Sequence, residues 1–386
     1  MTANEPQRIA VVYIAEAYQC YHGAAAALKL DEMPGIEVTS FYFDPDTPRH
    51  IEKIHRAFGA KPMCMRPLHR SAPTRVLQAA KVLGKFKHLT LRDNRAILGG
   101  FDAILAVENT LAMARPEGIL KPRLIYTPHG FGDRAYSFVP RIAEFDFVLV
   151  AGEKTEREML ERKLIRAGSY ALTGSIKLET AEALRKADGP LFSTDRPIVL
   201  YNPHFETGLN SWESFLKPML RQFSGQSIFN LIVAPHVKMF RNSSRRERSK
   251  IDGQSTSSIL IDLGSDRSVD STYIEHASVY VGDVSSQVYE FLANPRPCVF
   301  LNAHGVNWRD DPHYLHWTLG EVIDDPAQLY ETIARAPERH RRYREAQAAL
   351  AAAALGTNAR GASDRAAEAI AAFLRGERAK ATSMIT

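Results

Sequence analysis

The chain is 386 residues long, with 45% hydrophobic and 24% charged residues and a formal net charge of +5. That length accommodates two domains of ordinary size, and the composition excludes disordered, fibrous and membrane-spanning classes. Three cysteines, Cys20, Cys64 and Cys298, are far apart and odd in number, so no disulfide framework is expected and a reducing cytoplasm is the natural compartment.

After a polar start at Met1–Arg8, Ile9–Ile14 reads as a strand, and no signal peptide is expected. Further strands are predicted at Glu37–Phe43, Ala103–Val107, Arg123–Thr127 and Phe145–Val150. Helical spacing fits Tyr21–Lys29, His50–Phe58, Thr74–Lys85 and Glu153–Ala167. Between Lys53 and Arg95, basic residues such as Arg66, Arg70, Arg75 and Lys87 interleave with Phe58, Met63, Leu77 and Phe86. Such a stretch suits an anionic membrane surface, on the inner face of the cell membrane. No nucleic-acid-binding motif accompanies the charge, so no nucleic acid is expected as a partner.

Lys186-Ala187-Asp188-Gly189-Pro190 reads as a linker, after which the pattern restarts. Strands are predicted at Pro197–Asn202, Asn230–Ala234, Ser258–Asp262, Val279–Gly282 and Cys298–Asn302. Helices fit Trp212–Phe223, Ala327–Ala336, Glu338–Ala354 and Ser363–Arg375. The fold class expected is α/β, with two doubly wound, Rossmann-like domains over residues 1–186 and 187–386. Ligands are expected in the cleft at the strand C-termini.

Three strands run into a Pro-His pair. Pro128-His129-Gly130 follows the strand ending at Thr127, Pro203-His204 follows Asn202, and Pro235-His236-Val237-Lys238 follows Ala234. A histidine at a strand end titrates near neutrality and can take a proton from an attacking hydroxyl, while His236 with Lys238 can neutralise a phosphate. The strand Val279–Gly282 leads into Asp283-Val284-Ser285-Ser286 and a helical segment. There backbone N–H groups and hydroxyls converge on an anion, and Asp and Ser also suit the helix start itself. Glu290, one turn on, is placed to accept hydrogen bonds from ribose hydroxyls, unless it is simply a surface glutamate.

Other chemistries lack their residues. There is no G-x-G-x-x-G after the first strand, no P-loop and no G-x-S-x-G elbow. Asp44-Pro45-Asp46 reads as a turn rather than a metal site. His304, His313 and His316 with Asp310 and Asp311 fit no standard zinc spacing and read as a substrate-lining loop. No metal and no cofactor is expected.

In their order, Pro128-His129-Gly130, Pro235-His236 and Asp283-Val284-Ser285-Ser286 resemble the CDP-glycerol glycerophosphotransferase family, the teichoic-acid-type polymerases and primases with a GT-B fold. The likeness spans roughly residues 100 to 335. It implies that His129 is the general base on an acceptor hydroxyl, that His236 assists at the phosphates, and that Ser285 and Ser286 hold the diphosphate. The sequence departs from the family at Phe131-Gly132-Asp133-Arg134, where Arg134 stands in for a lysine, and at Thr173-Gly174-Ser175-Ile176-Lys177. The implied donor therefore widens to other nucleotide-linked polyols or sugars.

The expectation is a transferase that moves a polyol phosphate from a CDP-activated donor to a hydroxyl of an envelope glycan or lipid-linked acceptor. Asp283, Ser285, Ser286, Glu290, His204 and Lys238 would bind the donor, and Gly130 and Arg134 would lie on the acceptor side. The alternatives are a GT-B glycosyltransferase or UDP-sugar 2-epimerase-like enzyme, and a catalytically degenerate binding module.

Overall fold

The computed structural model describes residues 5–79, 85–128, 138–185, 189–285, 287–356 and 360–377. Short apolar runs separated by helices suit parallel pairing, because a crossover helix brings the chain back to the same end of the sheet. Seven such strands form the first sheet: β1 Gln7–Tyr13, β2 Ile36–Tyr42, β3 Cys64–Pro67, β4 Ala103–Ala106, β5 Arg123–Tyr126, β6 Phe147–Val150 and β7 Tyr170–Leu172. Their order is β3-β2-β1-β4-β5-β6-β7, with every pairing parallel. Six more form the second: β8 Ile198–Asn202, β9 Asn230–Val233, β10 Ile259–Ile261, β11 Val279–Gly282, β12 Cys298–Leu301 and β13 Glu321–Ile323. These lie in the order β10-β9-β8-β11-β12-β13, again parallel throughout.

Both sheets are therefore doubly wound, and each reverses direction beside its first strand, at β1/β4 and at β8/β11. In such sheets ligands bind beyond the strand C-termini at that reversal. The central strands β4, β6, β9, β11 and β12 are buried along their whole length, which is why they read as unbroken apolar runs. The helix Trp212–Ser224 illustrates the covering layer: Phe215, Met219 and Phe223 recur at four-residue spacing and all three are fully buried against the second sheet's core.

Several sequence expectations are adjusted. β3, β7 and β13 were not predicted. All three lie at or toward a sheet edge and are short, and β3 carries a proline and an arginine and is largely exposed. The predicted helix Tyr21–Lys29 is a 3-10 turn, Ala17–His22, followed by the helix Ala24–Asp31. Gly23 sits at the break, where a Cβ would lie 2.6 Å from a Val107 methyl. The predicted helix Glu153–Ala167 stops at Glu161, and Lys163 takes a left-handed conformation just beyond it. An unpredicted helix, Arg245–Asp252, begins with Arg245, Arg246 and Arg248 and is opened by a capping box between Ser244 and Glu247.

The described chain divides into two compact units, one holding the residues up to Leu184 and again from Ala353, the other Arg185–Ala352. Residues 187–386 were expected in one domain, yet the helix Ala362–Leu374 belongs to the first unit. Small side chains explain its docking. Ala24–Ala27 on one helix and Ala362, Ala366, Ala367 and Ala371 on the other are essentially buried, so the two backbones approach closely. Phe373 then stacks on Phe147 with centroids 4.6 Å apart, and Glu179 accepts backbone hydrogen bonds from Gly361 and Ser363 at 2.7 Å. No described helix is long and apolar enough to cross a membrane.

Gly152 admits the returning chain, because a Cβ there would lie 2.5 Å from the Ala353 carbonyl oxygen and 2.8 Å from that of Ala354. Backbone cannot move aside cheaply. Gly152→Ala is expected to cost about 2 kcal/mol, read as a lowered thermal midpoint. Gly189→Ala, where a Cβ has nothing within 4 Å, serves as the neutral control.

Candidate functional site

The second unit's reversal point gathers most of the described candidate residues. The parallel ladder continues past the strands: the Ala234 N–H donates to the Tyr201 carbonyl at 2.9 Å and the His236 N–H to the Pro203 carbonyl at 2.9 Å. That register sets Pro203-His204 beside Pro235-His236. Their rings lie 6.0 Å apart, and the Phe205 ring is 4.4 Å from His204 and 4.9 Å from His236. Lys238, exposed, holds its ammonium 5.4 Å from the Phe205 ring centre.

Both imidazoles are held by the same local turn. The Glu206 N–H donates to His204 Nδ1 at 3.1 Å, and the Lys238 N–H donates to His236 Nδ1 at 3.2 Å. A ring nitrogen that accepts from an N–H carries no hydrogen, so each neutral imidazole bears its hydrogen on Nε2. Both rings are thus hydrogen-bond donors through Nε2, which suits phosphate oxygens better than proton abstraction.

Asp283, directly after β11, is 1% exposed. Its Oδ1 accepts from the His204 and Val284 N–H groups, both at 2.8 Å. Its Oδ2 accepts from the Ser211 N–H at 2.7 Å and hydroxyl at 2.9 Å. Its backbone carbonyl accepts from His316 Nε2 at 3.2 Å and Trp317 Nε1 at 3.0 Å. Burial raises the carboxyl above its usual range, against the pull of its hydrogen bonds. Burial first, and then the Asp283 charge, push the Tyr201 and Tyr280 hydroxyls well up, so both stay protonated. The side chain works inward, knitting the β8 and β11 turns together.

Ser285 is buried, and its hydroxyl accepts from the Gln287 N–H at 3.3 Å at the start of the helix Gln287–Leu292. Glu290 is 5% exposed rather than a surface glutamate, and the Ser271 hydroxyl donates to its Oε2 at 3.1 Å. His316 is buried and spent on Asp283, while His304 donates through Nε2 to the Asn210 carbonyl at 3.0 Å, so both brace the site's loops. Asp44 accepts from the Asp46 N–H at 3.0 Å, the expected turn. Among the described residues no group of three His, Cys, Asp or Glu side chains is arranged to hold a metal. His129, Gly130, Arg134 and Ser286 lie outside the described residues.

Sequence reasoning missed Ser211, although a serine directly before a predicted helix signals a cap. It also missed a charged pair at the first unit's reversal. Glu108, just past β4, is 8% exposed and accepts from Lys87 Nζ at 3.2 Å and from the Thr110 N–H at 2.7 Å. Burial pulls its carboxyl up, but the Lys87 charge and the Thr110 hydrogen bonds outweigh burial and hold it below the usual value. A depressed carboxyl stabilises the fold above the ordinary glutamate value of about 4.3 and loses that contribution as pH falls through its lower folded value. Lys87→Met is therefore expected to cost about 2 kcal/mol at pH 7. In urea melts the gap to wild type should narrow steadily below about pH 4.

No protein-family model matches the sequence, and none of the curated proteins it was compared with matches it. Solved structures do resemble the fold. A UDP-GlcNAc 2-epimerase from Neisseria meningitidis, bound to UDP-GlcNAc, is 12% identical, with a TM-score of 0.63 over 95% of this chain and 100% of that one. The S. aureus protein MnaA, solved with UDP, is 13% identical, with a TM-score of 0.62 over 96% and 97%. The wall teichoic acid polymerase TagF, in a variant soaked with CDPG, is 12% identical, with a TM-score of 0.66 over 97% and 91%. The chain thus has a GT-B-like fold, built from two doubly wound, Rossmann-like parallel-sheet units.

Proposed function

We propose that the protein is an enzyme acting on a nucleotide-activated donor bound at the C-terminal end of β8, β9 and β11. The observation that carries this is the pairing of His204 and His236, rings 6.0 Å apart and each with its hydrogen on Nε2, with the His204 backbone N–H bonded to Asp283. Two neutral imidazole donors and a helix start are matched to the oxygens of a diphosphate.

The specific reaction is transfer of a polyol phosphate of the glycerol-phosphate type from a CDP-linked donor to a hydroxyl of an envelope glycan or lipid-linked acceptor. The acceptor oxygen attacks the distal phosphorus, the bond to the bridging oxygen breaks, and CMP leaves with the electron pair. His129 takes the acceptor's proton, by the motif resemblance, while His236 and His204 stabilise charge on the departing phosphate. The likeness to a UDP-GlcNAc 2-epimerase bound to UDP-GlcNAc and to MnaA solved with UDP favours a second reading, a nucleotide-sugar enzyme on the same site.

Incubation with CDP-glycerol and, separately, with UDP-GlcNAc distinguishes the two. CMP release from CDP-glycerol supports polyol-phosphate transfer. Release of UDP, or conversion of the sugar at C2, overturns it in favour of the second reading.

A further inference from the structure

We infer that Ser271 is a positioning residue that orients Glu290 for ribose hydroxyls, an inference that rests on the nucleotide-binding role proposed for this site. Among the described residues, two that are not glycine take a positive φ, Lys163 and Ser271. Lys163 is exposed just past a helix end, where left-handed residues are ordinary. Ser271 is different. It is 5% exposed, with φ 69° and ψ 9°, in a region where a Cβ crowds the following carbonyl.

The turn around it is over-determined. Asp270 Oδ1 accepts from the Thr272 N–H at 2.9 Å and hydroxyl at 2.6 Å, and both residues are 2% exposed. On the other side the Ser271 carbonyl accepts from the Glu275 N–H at 2.9 Å. Glycine would meet this backbone requirement without strain, so what the position holds beyond glycine is its hydroxyl. That hydroxyl donates to Glu290 Oε2 at 3.1 Å, across 19 residues of sequence.

Glu290 belongs to the helix entered from the β11 turn, the element that carries Ser285. A glutamate has three side-chain torsions to restrict before its carboxylate can meet a pair of vicinal hydroxyls in fixed geometry. Anchoring one carboxylate oxygen from a rigid, strained turn restricts the rotation of the whole carboxylate. Backbone strain held beside a ligand-facing group is a form of pre-organisation.

Calorimetric titration of the full chain with UDP and CDP, and with their 2′-deoxy counterparts, tests this. Wild type should bind the preferred ribonucleotide about tenfold more tightly than its deoxy form, the worth of one good hydrogen bond. Ser271→Ala and Ser271→Gly should both reduce that ratio to about twofold, the ribonucleotide losing more affinity than its deoxy form. The glycine variant, relieved of strain, should melt about 2 °C above the alanine variant. An undiminished ratio in both variants overturns the inference, as does an equal loss for ribo and deoxy forms, which marks a purely structural role. Absence of nucleotide binding by wild type would remove the nucleotide reading of the site, and the inference with it.

Discussion

Asp283→Ala is expected to lower stability by about 3–5 kcal/mol, and Asp283→Asn by nearly as much. The carboxylate is 1% exposed and takes four donors, two on each oxygen. Alanine leaves the N–H groups of His204, Ser211 and Val284 buried without an acceptor. Asparagine is no better matched, because whichever side its NH₂ occupies, it faces at least one backbone N–H that cannot turn away. On one side these are His204 and Val284; on the other the Ser211 hydroxyl can rotate but its N–H cannot. Replacing a charged acceptor by a neutral one therefore breaks the network instead of softening it. Because the same bonds hold the His204 backbone in place, turnover should fall with stability. Denaturant titration of both variants is the check, and an asparagine variant as stable as wild type would mean that the carboxylate charge is not what the network uses.

His236→Ala should behave in the opposite way, with turnover reduced about 10²–10³-fold and the fold nearly intact. His236 is half-buried, and the Lys238 N–H donates to its Nδ1. What alanine removes is the Nε2–H donor that the proposed function assigns to charge developing on the leaving phosphate. His236→Asn separates the two roles. Its short side chain can still accept from the Lys238 N–H, as asparagine does in turns, but it cannot reach where Nε2 stood. Its stability should match wild type while its turnover falls as far as that of the alanine variant. Nucleotide release under saturating donor, beside a thermal melt, measures both, and full turnover in the asparagine variant would remove His236 from the chemistry.

These expectations show how differently neighbouring residues were legible. Pro203-His204 and Pro235-His236 stood out because a histidine just past an apolar run is a local pattern. Asp283 stood out too, but its role did not. From the sequence it looks like one more group facing an anion, whereas its carboxylate turns inward to backbone N–H groups 79 and 72 positions away. Glu290 is a similar case, since a glutamate on a short helix reads equally as surface or site until Ser271 is placed beside it. Lys87 and Glu108 meet only because the helix Lys85–Asp93 packs against the turn Asn109–Ala114 that follows β4, which no local pattern announces.

By itself, then, the sequence determined what depends on near neighbours: strands as buried apolar runs, helices at four-residue spacing, and the strand-to-turn junctions that mark possible sites. Tertiary structure alone decided which of those junctions face one another. The parallel ladder past β8 and β9 sets His204 against His236, and the reversal at β8/β11 adds the Asp283–Ser285 turn. It also returned the helix Ala362–Leu374 to the first unit, where alanine faces allow close packing. The physical reason is the same in each case. Periodicity and capping are set within a few residues, while ladder register and buried hydrogen bonds join groups that only the folded chain brings into contact.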